Sequence, residues 1–370
     1  MAHGRRTRIL IVDDSAVIRS LLRTVISADP SLEVAGTAAD GAAALQAIES
    51  VHPDLVLLDV EMPNMDGLAT LRTLRARSYG MPVVMVSSVT QRGARVTIDA
   101  LACGASDYVT KPANHVDRDA ALRVLAQDLL PTIQALTVSP VAQPPRPRIA
   151  VDPPETFKLS STPPSVVVIG VSTGGPAALD VILSAIPQGF PLPVLIVQHM
   201  PELFTGPLAE RLSQRCSVRV REAAECAPVI PGVIYLARGN WHMEVLATTR
   251  SGLPPTLHLH QGPPENHCRP AVDVLFRSAA SIFGAATLAV ILTGMGSDGL
   301  AACRIIRAQG GTVLAQDQAT SAVWGMPGSV ILAGLAQRVL PLPAIAPEIL
   351  RIAGRSIGEL REFRQAAAQR

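Results

Sequence analysis

Short apolar runs alternate with helix-length segments along the first part of the chain. Each run is rich in Val, Ile and Leu, and the segment after it carries apolar residues at helical spacing. This alternation is typical of a parallel sheet whose strands are joined by crossover helices. The runs occupy residues 9–12, 34–37, 55–58, 83–86 and 108–109. They predict a five-stranded, doubly wound domain.

The same alternation returns after residue 165. The runs there occupy residues 166–169, 194–197, 233–236, 288–292 and 312–315. We therefore predict the α/β class, with two doubly wound parallel-sheet domains. The first, over residues 1–130, is expected to be flavodoxin-like; the second, over residues 165–355, is expected to be a Rossmann-like three-layer domain followed by a helical tail at residues 356–370.

The segment between the two domains is rich in proline. Residues 131–164 hold nine of the 31 prolines and few periodic apolar residues. Proline removes a backbone donor and fixes φ, which opposes both helices and central strands. We therefore predict a Pro-rich linker that adds neither strand nor helix to a core.

Composition narrows the class of protein further. Apolar residues make up 48% of the chain and charged residues 17%, which predicts folded domains rather than disorder. The 32 basic and 30 acidic residues nearly cancel, so no nucleic-acid partner is expected. No apolar run is long enough for a membrane span, so no membrane insertion is expected. The five cysteines include no CxxC pair, which favours a reducing compartment, and we expect a cytoplasmic protein.

Polar residues follow the strands of the first domain. Asp13 and Asp14 follow the first predicted strand, Asp59 follows the third, Ser87 ends the fourth and Lys111 ends the fifth. In a doubly wound sheet these positions converge. Three carboxylates at close range demand a cation, and Mg²⁺ prefers such oxygen ligands. With a lysine and a hydroxyl beside them, they predict a site where an aspartate carries a phosphoryl group.

Each of these residues alone also has a structural explanation. Asp13, Asp14 and Ser15 can cap a helix, Asp59 can cap a helix or a turn, and Lys111 can belong to a turn before proline. Their placement at successive strand ends favours the functional interpretation.

The motifs ILIVDDSAVIR, DLVLLDVEMPNMDGL, VVMVSS and GASDYVTKP resemble those of the response-regulator receiver domain, over nearly all of residues 7–130. The resemblance implies that Asp59 is phosphorylated by a histidine kinase and that Asp13 and Asp14 hold Mg²⁺ together with it. It also implies that Ser87 and Lys111 report the phosphoryl group to the surface of the domain.

The second domain opens with a possible nucleophile. The segment Gly170-Val171-Ser172-Thr173-Gly174 fits GxSxG between an apolar strand and a helix. A turn of this kind exposes the serine oxygen and points a helix N-terminus at the attacked carbonyl. A glycine-rich turn also cradles phosphates, and the following Gly175 keeps that alternative open.

A serine nucleophile needs a base and a group that orients the base. His199 ends a neighbouring apolar strand, and Asp298 follows another strand in a glycine-rich loop. The structural alternative for Asp298 is the N-cap of a helix over residues 299–307. The presence of Ser172 and His199 at neighbouring strand ends favours a triad.

The other histidines fit this chemistry less well. His258 and His260 alternate on one face of a predicted strand, and with His267 and Cys268 they suggest a metal site. Their spacing matches no zinc pattern, so a solvated strand face is favoured. No strand end places His242 at the candidate site.

The order serine, histidine, aspartate differs from that of α/β-hydrolases, which place the acid between the other two. The motifs GVSTGG, VQHMPELFTGPLAERL, CRPAVDVLFRSAA, LTGMGSDG and DQATSAVWGMPGSV resemble the catalytic domain of the chemotaxis protein-glutamate methylesterase family, over about residues 165–350. The resemblance implies that Ser172, His199 and Asp298 form a catalytic triad and that the backbone N–H of Met295 helps to form the oxyanion hole. No organic cofactor is expected in this domain.

The resemblance also implies partners. It implies hydrolysis of glutamyl methyl esters on methyl-accepting chemoreceptors, deamidation of receptor glutamines, and a chemotaxis histidine kinase as phosphodonor. We hypothesise that the unphosphorylated receiver covers the second domain and that phosphorylation of Asp59 releases it. The alternative is a phosphorylation-controlled receptor-binding module with another hydrolytic substrate or none.

Overall fold

The computed structural model describes residues 5–112, 117–137, 160–248 and 252–354. These residues form two compact units, one within residues 1–146 and one within residues 147–370. Each unit is an α/β domain built on a parallel sheet, so the predicted fold class is confirmed. The helical tail predicted at residues 356–370 lies outside the described residues. Within those residues, no helix combines the length and the apolar character that crossing a membrane requires.

The first unit alternates strands and helices along the chain. Its elements are β1 (Thr7–Val12), α1 (Ala16–Ser27), β2 (Leu32–Ala38), α2 (Gly41–Val51), β3 (Leu55–Asp59), α3 (Gly67–Ala76), β4 (Val83–Ser87), α4 (Gln91–Ala102), β5 (Asp107–Thr110) and α5 (Arg118–Thr137). The strands form one parallel sheet in the order β2-β1-β3-β4-β5, and all five were predicted. The chain changes direction across the sheet between β1 and β3, which opens a crevice at their carboxyl ends.

Helix α5 includes residues that the sequence assigned to the linker. The helix continues through Pro131, and Ile133 is fully buried. The prediction that residues from 131 onward add no helix to a core is therefore wrong for this segment. Leu125, Leu129 and Ile133 pack into the core of the first unit, and this packing outweighs the backbone hydrogen bond lost at the proline. The predicted linker residues 138–159 lie outside the described residues.

The second unit has a larger sheet. Its elements are β6 (Val166–Val171), α6 (Gly175–Ser184), β7 (Val194–Gln198), α7 (Glu202–Arg215), β8 (Arg219–Glu222), β9 (Val233–Leu236), β10 (His242–Leu246), β11 (Thr256–His260), α8 (Val272–Phe283), a 3₁₀ turn (Gly284–Ala286), β12 (Thr287–Ile291), α9 (Leu300–Ala308), β13 (Thr312–Gln316), α10 (Met326–Leu332), β14 (Arg338–Leu340) and a helix over residues 342–354. Seven strands form a parallel sheet in the order β14-β13-β12-β6-β7-β9-β8, and β10 pairs with β11 in an antiparallel hairpin.

The five predicted strands of this unit are β6, β7, β9, β12 and β13, whose residues are all buried. The sequence did not predict β8, β10 or β14. Strands β8 and β14 close the two edges of the sheet, where partly exposed residues replace the apolar run that marks a central strand. The parallel sheet at the centre of the unit was therefore predictable, and its edges were not.

Strand β6 lies between β7 and β12 at the centre of the second sheet. The chain leaves β6 toward β7 and later returns on the other side at β12, so the carboxyl end of β6 is a switch point. The Ser172 N–H donates to Thr293 O at 3.0 Å, and the His199 N–H donates to Val171 O at 3.1 Å. These bonds join the loops that follow β6, β7 and β12.

Gly67 lets helix α3 approach the end of β3. A Cβ at this position would lie 2.0 Å from the backbone oxygen of Asp59. The Gly67 N–H also donates to Val60 O at 3.1 Å. The close approach therefore fixes the backbone that carries Asp59.

We expect Gly67→Ala to lower the free energy of unfolding of the first unit by about 1–3 kcal/mol, because the new methyl group meets backbone rather than a movable side chain. Calorimetry of the full chain measures this, with the transition of the second unit as an internal reference. Gly80→Ala is the matched control, since a Cβ there has nothing within 4 Å. It should change the free energy of unfolding by less than about 1 kcal/mol. Equal effects of the two substitutions would contradict the explanation.

Candidate functional sites

The first candidate site lies at the carboxyl ends of β1, β3 and β5. Lys111 Nζ lies 2.8 Å from Asp13 Oδ2 and 2.8 Å from Asp59 Oδ2. Asp13 and Asp59 are buried, whereas Asp14 is exposed. Carboxylate oxygens of Asp13, Asp14 and Asp59 lie within 4.8 Å of one another. The structure thus brings the predicted acidic cluster and the lysine together.

This cluster carries more negative than positive charge. Burial raises the pKa of Asp59 to about 6; the hydrogen bond from Lys111 opposes the rise and the charge of Asp13 adds to it. Burial likewise raises the pKa of Asp13 against the lowering effect of Lys111. A hard divalent cation bound by carboxylate oxygens relieves such a cluster. The donor set therefore fits Mg²⁺.

Ser87 ends β4 beside β3 and is fully buried. Its Oγ lies 2.8 Å from Thr97 Oγ1 in α4, and Thr97 Oγ1 lies 2.7 Å from Gly93 O. The Thr97 hydroxyl has one proton and can donate it to Ser87 Oγ or to Gly93 O, whereas the Ser87 hydroxyl donates to Ser88 O at 3.3 Å. Thr97 therefore connects the predicted switch serine to a helix. In the sequence pattern, Thr97 is distinguished only by its place in a predicted helix.

The second candidate site begins at Ser172, in a turn between β6 and α6. The Ser172 carbonyl accepts the Gly175 N–H at 2.7 Å, which closes the turn. Gly294 packs against the serine, since a Cβ on Gly294 would lie 2.7 Å from Ser172 Cβ. The strand-to-helix turn expected from the sequence is present, with a partly exposed serine in it.

Gln198 is a buried side chain that ties Ser172 to His199. Its Nε2 donates to the Ser172 carbonyl at 3.0 Å and to the His199 carbonyl at 3.1 Å. A Cβ at Gly175 would lie 1.9 Å from Gln198 Oε1, so only glycine leaves room for this side chain. The packing of Gln198 accounts for the third glycine of the motif without a phosphate. The sequence pattern alone does not distinguish Gln198 from the other residues of its strand.

His199 and Asp298 are directly hydrogen bonded. His199 Nε2 lies 2.8 Å from Asp298 Oδ2. Asp298 also accepts the N–H groups of Val272 at 2.6 Å and Asp273 at 3.0 Å, which are the first two residues of α8. The alternative that Asp298 caps the helix following it is wrong, because the N-cap of α9 is Gly299 and makes no side-chain hydrogen bond. Asp298 instead satisfies the N-terminus of α8.

Asn266 binds two carboxylates through one side-chain amide. Its Nδ2 donates to Asp298 Oδ1 at 2.8 Å and to Asp273 Oδ2 at 2.9 Å. Asp273 Oδ1 in turn accepts the N–H of Ala302 in α9 at 2.7 Å. Asp298, just before α9, therefore accepts N–H groups at the start of α8, and Asp273, at the start of α8, accepts an N–H near the start of α9. Asn266 joins the two caps and fixes the loop that carries Asp298.

Ser172 and His199 follow neighbouring strands but do not hydrogen bond to each other. Among the described residues, the Ser172 hydroxyl makes no hydrogen bond, and His199 Nδ1 lies 3.6 Å from Cys268 Sγ. The structure thus pairs two members of the predicted triad directly. Ser172 is joined to His199 through Gln198 and the backbone.

Met295 follows Gly294, the residue that packs against Ser172. Within the described ranges the Met295 N–H has no acceptor. The Gly294 N–H donates to Val323 O at 2.9 Å, and its carbonyl accepts the Met326 N–H at 2.8 Å, so the loop is fixed on both sides. An uncommitted N–H one residue from the contact with Ser172 has the chemistry of the predicted oxyanion hole.

Three further histidines, His242, His258 and His260, have structural partners. Buried His242 lies between Pro263 O, 3.0 Å from Nε2, and the Ala271 N–H, 3.2 Å from Nδ1, which fits a neutral ring. His258 and His260 each face a glutamate, at 3.1 Å and 3.5 Å. In the part of the chain that the structure describes, neither belongs to a set of side chains that could hold a metal ion. This supports the solvated-face interpretation.

The pair of His199 and Asp298 is charged at neutral pH. Burial acts to lower the pKa of His199, but hydrogen bonds with Asp298 and Cys268 outweigh it and raise the pKa to about 9. Burial acts to raise the pKa of Asp298, but the contact with His199 and the backbone donors lower it overall. The resting arrangement is therefore an imidazolium beside a carboxylate.

This pair should make stability depend on pH. The folded pKa of His199 exceeds the ordinary value of 6.5, so the stabilising contribution is fully present below pH 6.5 and is lost as the pH rises through about 9.

The substitution Asp298→Asn removes the carboxylate that counteracts the effect of burial on the pKa of His199. We therefore expect this pKa to fall. NMR titration of the imidazole signals measures this. Glu244→Gln, which removes the partner of His260, should leave the His199 titration unchanged. A wild-type His199 midpoint below 6.5 would refute the charged pair.

The fold and the two sites define a response regulator whose receiver is followed by an α/β enzyme domain. Family models agree: residues 9–123 match the response regulator receiver domain, and residues 167–349 match CheB methylesterase.

Two curated relatives match most of the chain. One, from a Nocardioides species, is 50% identical over 350 residues, covering 93% of this chain and 94% of its own. Another, from Trichodesmium erythraeum, is 47% identical over 351 residues, covering 94% of this chain and 99% of its own. Both are named protein-glutamate methylesterase/protein-glutamine glutaminase. The crystal structure of the Thermotoga maritima CheB methylesterase catalytic domain matches with a TM-score of 0.50 and 42% identity, covering 52% of this chain and 100% of that one.

The chain therefore belongs to the protein-glutamate methylesterase/protein-glutamine glutaminase family. The resemblance of its sequence motifs to a receiver and a methylesterase domain is confirmed.

Proposed function

We propose that this chain hydrolyses glutamyl methyl esters on chemoreceptors, and deamidates receptor glutamines, under the control of phosphorylation at Asp59. The observation that carries the proposal is the hydrogen bond of 2.8 Å between His199 and Asp298, at the strand end next to Ser172. A histidine oriented by a carboxylate beside a serine is the arrangement that acyl transfer needs. The names of the relatives supply the substrate class.

In the proposed reaction the Ser172 hydroxyl attacks the acyl carbonyl of the substrate. Nε2 of His199 faces Asp298, so Nδ1 takes the serine proton and returns it to the leaving group. The Met295 N–H and the N-terminus of α6 favour the negative charge that develops on the carbonyl oxygen. Water then hydrolyses the acyl-enzyme. Esters and amides follow the same path, since only the leaving group differs, methanol or ammonia.

We expect Ser172→Ala to lower methanol release from methylated receptors by at least about a thousandfold, because the residual rate comes only from binding and charge stabilisation. Methanol release from the full chain measures this, and circular dichroism checks the fold. Ser281→Ala, at an exposed position of α8, is the matched control and should retain the wild-type rate. Substantial turnover in Ser172→Ala would assign the nucleophile elsewhere.

The first domain supplies the proposed control. Asp59 is the nucleophile that attacks the phosphodonor. The phosphodonor is a chemotaxis histidine kinase or a small phosphoanhydride. Lys111 pairs with the carboxylates of Asp13 and Asp59. Asp13, Asp14 and Asp59 would hold Mg²⁺, which when bound neutralises charge on the phosphoryl oxygens. The contact between Ser87 and Thr97 offers a route from the phosphoryl group to α4. We propose that the unphosphorylated receiver restrains the hydrolase and that phosphorylation relieves the restraint.

A phosphodonor with Mg²⁺ should raise the rate of methanol release by about 5- to 150-fold, the usual range of coupling between two sites. Asp59→Asn should remove the response, since the amide cannot accept the phosphoryl group, and chelation of Mg²⁺ should do the same. Asp119→Asn, at an exposed position of α5, is the matched control and should respond as the wild type does.

The restraint itself has a separate readout. A chain without residues 1–159 should hydrolyse methylated receptors faster than the unphosphorylated full chain and should ignore the phosphodonor. An unchanged rate would rule out inhibition by the receiver, whatever Asp59→Asn shows.

A further inference from the structure

A thiol lies at the ring nitrogen of His199 that does not face Asp298. Cys268 Sγ is 3.6 Å from His199 Nδ1, while His199 Nε2 is 2.8 Å from Asp298 Oδ2. The three groups therefore form a chain of thiol, imidazole and carboxylate. This is the order of groups that activates a cysteine, because an imidazolium favours the thiolate and the carboxylate supports the charge on the ring.

A tight turn places the thiol there. Glu265 and Cys268 exchange backbone hydrogen bonds at 3.1 Å and 2.9 Å across the two residues between them. Those residues, Asn266 and His267, both have positive φ, at 52° and 63°, as in a type I′ turn. Asn266 is held by Asp298 and Asp273, so the loop that fixes Asp298 also fixes Cys268. The contact between Cys268 and His199 is therefore part of the built site.

The geometry favours a hydrogen-bonded thiol over a metal site. His199, Cys268 and Asp298 lie close enough together to suggest metal ligation. However, the oxygens of Asp298 already accept the N–H groups of Val272 and Asp273 and the amide of Asn266, so they are committed to hydrogen bonds.

We propose that Cys268 is a reactive thiol and a site of reversible oxidation by hydroperoxides, and that its oxidation switches off the hydrolase. The thiol attacks the peroxide as a thiolate: an S–O bond forms and the O–O bond breaks. The sulfur loses two electrons, and the hydroxide that leaves takes the proton from the His199 imidazolium to form water. A sulfenic acid and a neutral imidazole remain, and two equivalents of an added thiol restore Cys268 with release of water and a disulfide.

The other four cysteines lack this activation. Cys303 is fully buried, and burial also raises the pKa of Cys216. Cys226 is exposed, but Glu225 beside it raises its pKa, which disfavours the thiolate. Cys103 lies beside the Arg72 guanidinium, whose charge favours a thiolate but which, unlike an imidazolium, does not give up a proton to a leaving hydroxide. Cys268 is partly exposed and is the one cysteine in contact with a histidine among the residues the structure describes.

The effect on hydrolysis rests on the proposed function. Nδ1 is the ring nitrogen that must receive the proton of Ser172, because Asp298 holds Nε2. An oxygen added to Cys268 Sγ lies against Nδ1 and competes with the serine for it. Oxidation therefore separates the base from the nucleophile without breaking the contact between His199 and Asp298.

The first arm of the test measures reactivity without any turnover. The full chain is treated with iodoacetamide at neutral pH, where the sulfur forms a bond to carbon and iodide leaves, and each modified cysteine is quantified by mass spectrometry. Cys268 should react at least about tenfold faster than Cys226. His199→Gln should slow Cys268 by about tenfold and leave Cys226 unchanged. Equal rates at the two cysteines, or no effect of His199→Gln, would overturn the proposal.

The second arm measures methanol release before and after treatment with hydrogen peroxide, and again after dithiothreitol. The wild-type chain should lose most of its rate and regain it with dithiothreitol. In Cys268→Ala, whatever its starting rate, the fraction lost to peroxide should be small, while Cys226→Ala should remain as sensitive as the wild type. A sensitive Cys268→Ala would overturn the switch. If the untreated wild type releases no methanol, the proposed function fails, and the labelling arm still decides whether Cys268 is reactive.

Discussion

The carboxylate of Asp298 accepts four hydrogen bonds, and the arrangement of the second candidate site depends on them. His199 and the Val272 N–H donate to Oδ2, and Asn266 and the Asp273 N–H donate to Oδ1. A buried carboxylate stays charged only when donors replace its lost water, and the N-terminus of α8 adds a favourable dipole. These bonds hold the start of α8 and the loop that carries Asn266. They also determine that His199 Nδ1, rather than Nε2, faces away from Asp298.

Both domains place charge at the carboxyl ends of central strands, but they compensate it differently. In the first domain Lys111 bridges two buried carboxylates, and burial, with a smaller contribution from the charge of Asp13, raises the pKa of Asp59. In the second domain an imidazolium, an amide and a helix N-terminus surround one carboxylate, and its pKa is lowered. The first arrangement suits a site that recruits a cation and a phosphoryl group, whereas the second suits a site that orients a base.

The sequence predicts what local patterns encode. Buried central strands carry continuous apolar runs, and the polar residues after them can be assigned to one edge of a sheet. The continuation of α5 through Pro131 was not predictable from local preference, because burial of Ile133 decides it. The roles of Gln198 and Asn266 depend on distances between loops far apart in the chain. The one local hint for Asn266 is the tolerance of asparagine for positive φ.

The contact of His199 with Cys268 bears on how the proposed hydrolysis begins. Ser172 and Cys268 address the same ring nitrogen, since Asp298 holds the other. Sulfur is a weaker hydrogen-bond partner than a hydroxyl. Once the imidazole is neutral, the Ser172 hydroxyl is therefore favoured over the Cys268 thiol as the partner of His199 Nδ1. The raised pKa opposes that state, because an imidazolium donates at both nitrogens and accepts at neither. Loss of one proton from His199 therefore leaves a neutral imidazole that can act as the base. In the proposed reaction, the rate of hydrolysis at neutral pH scales with the fraction of chains in which His199 has lost this proton.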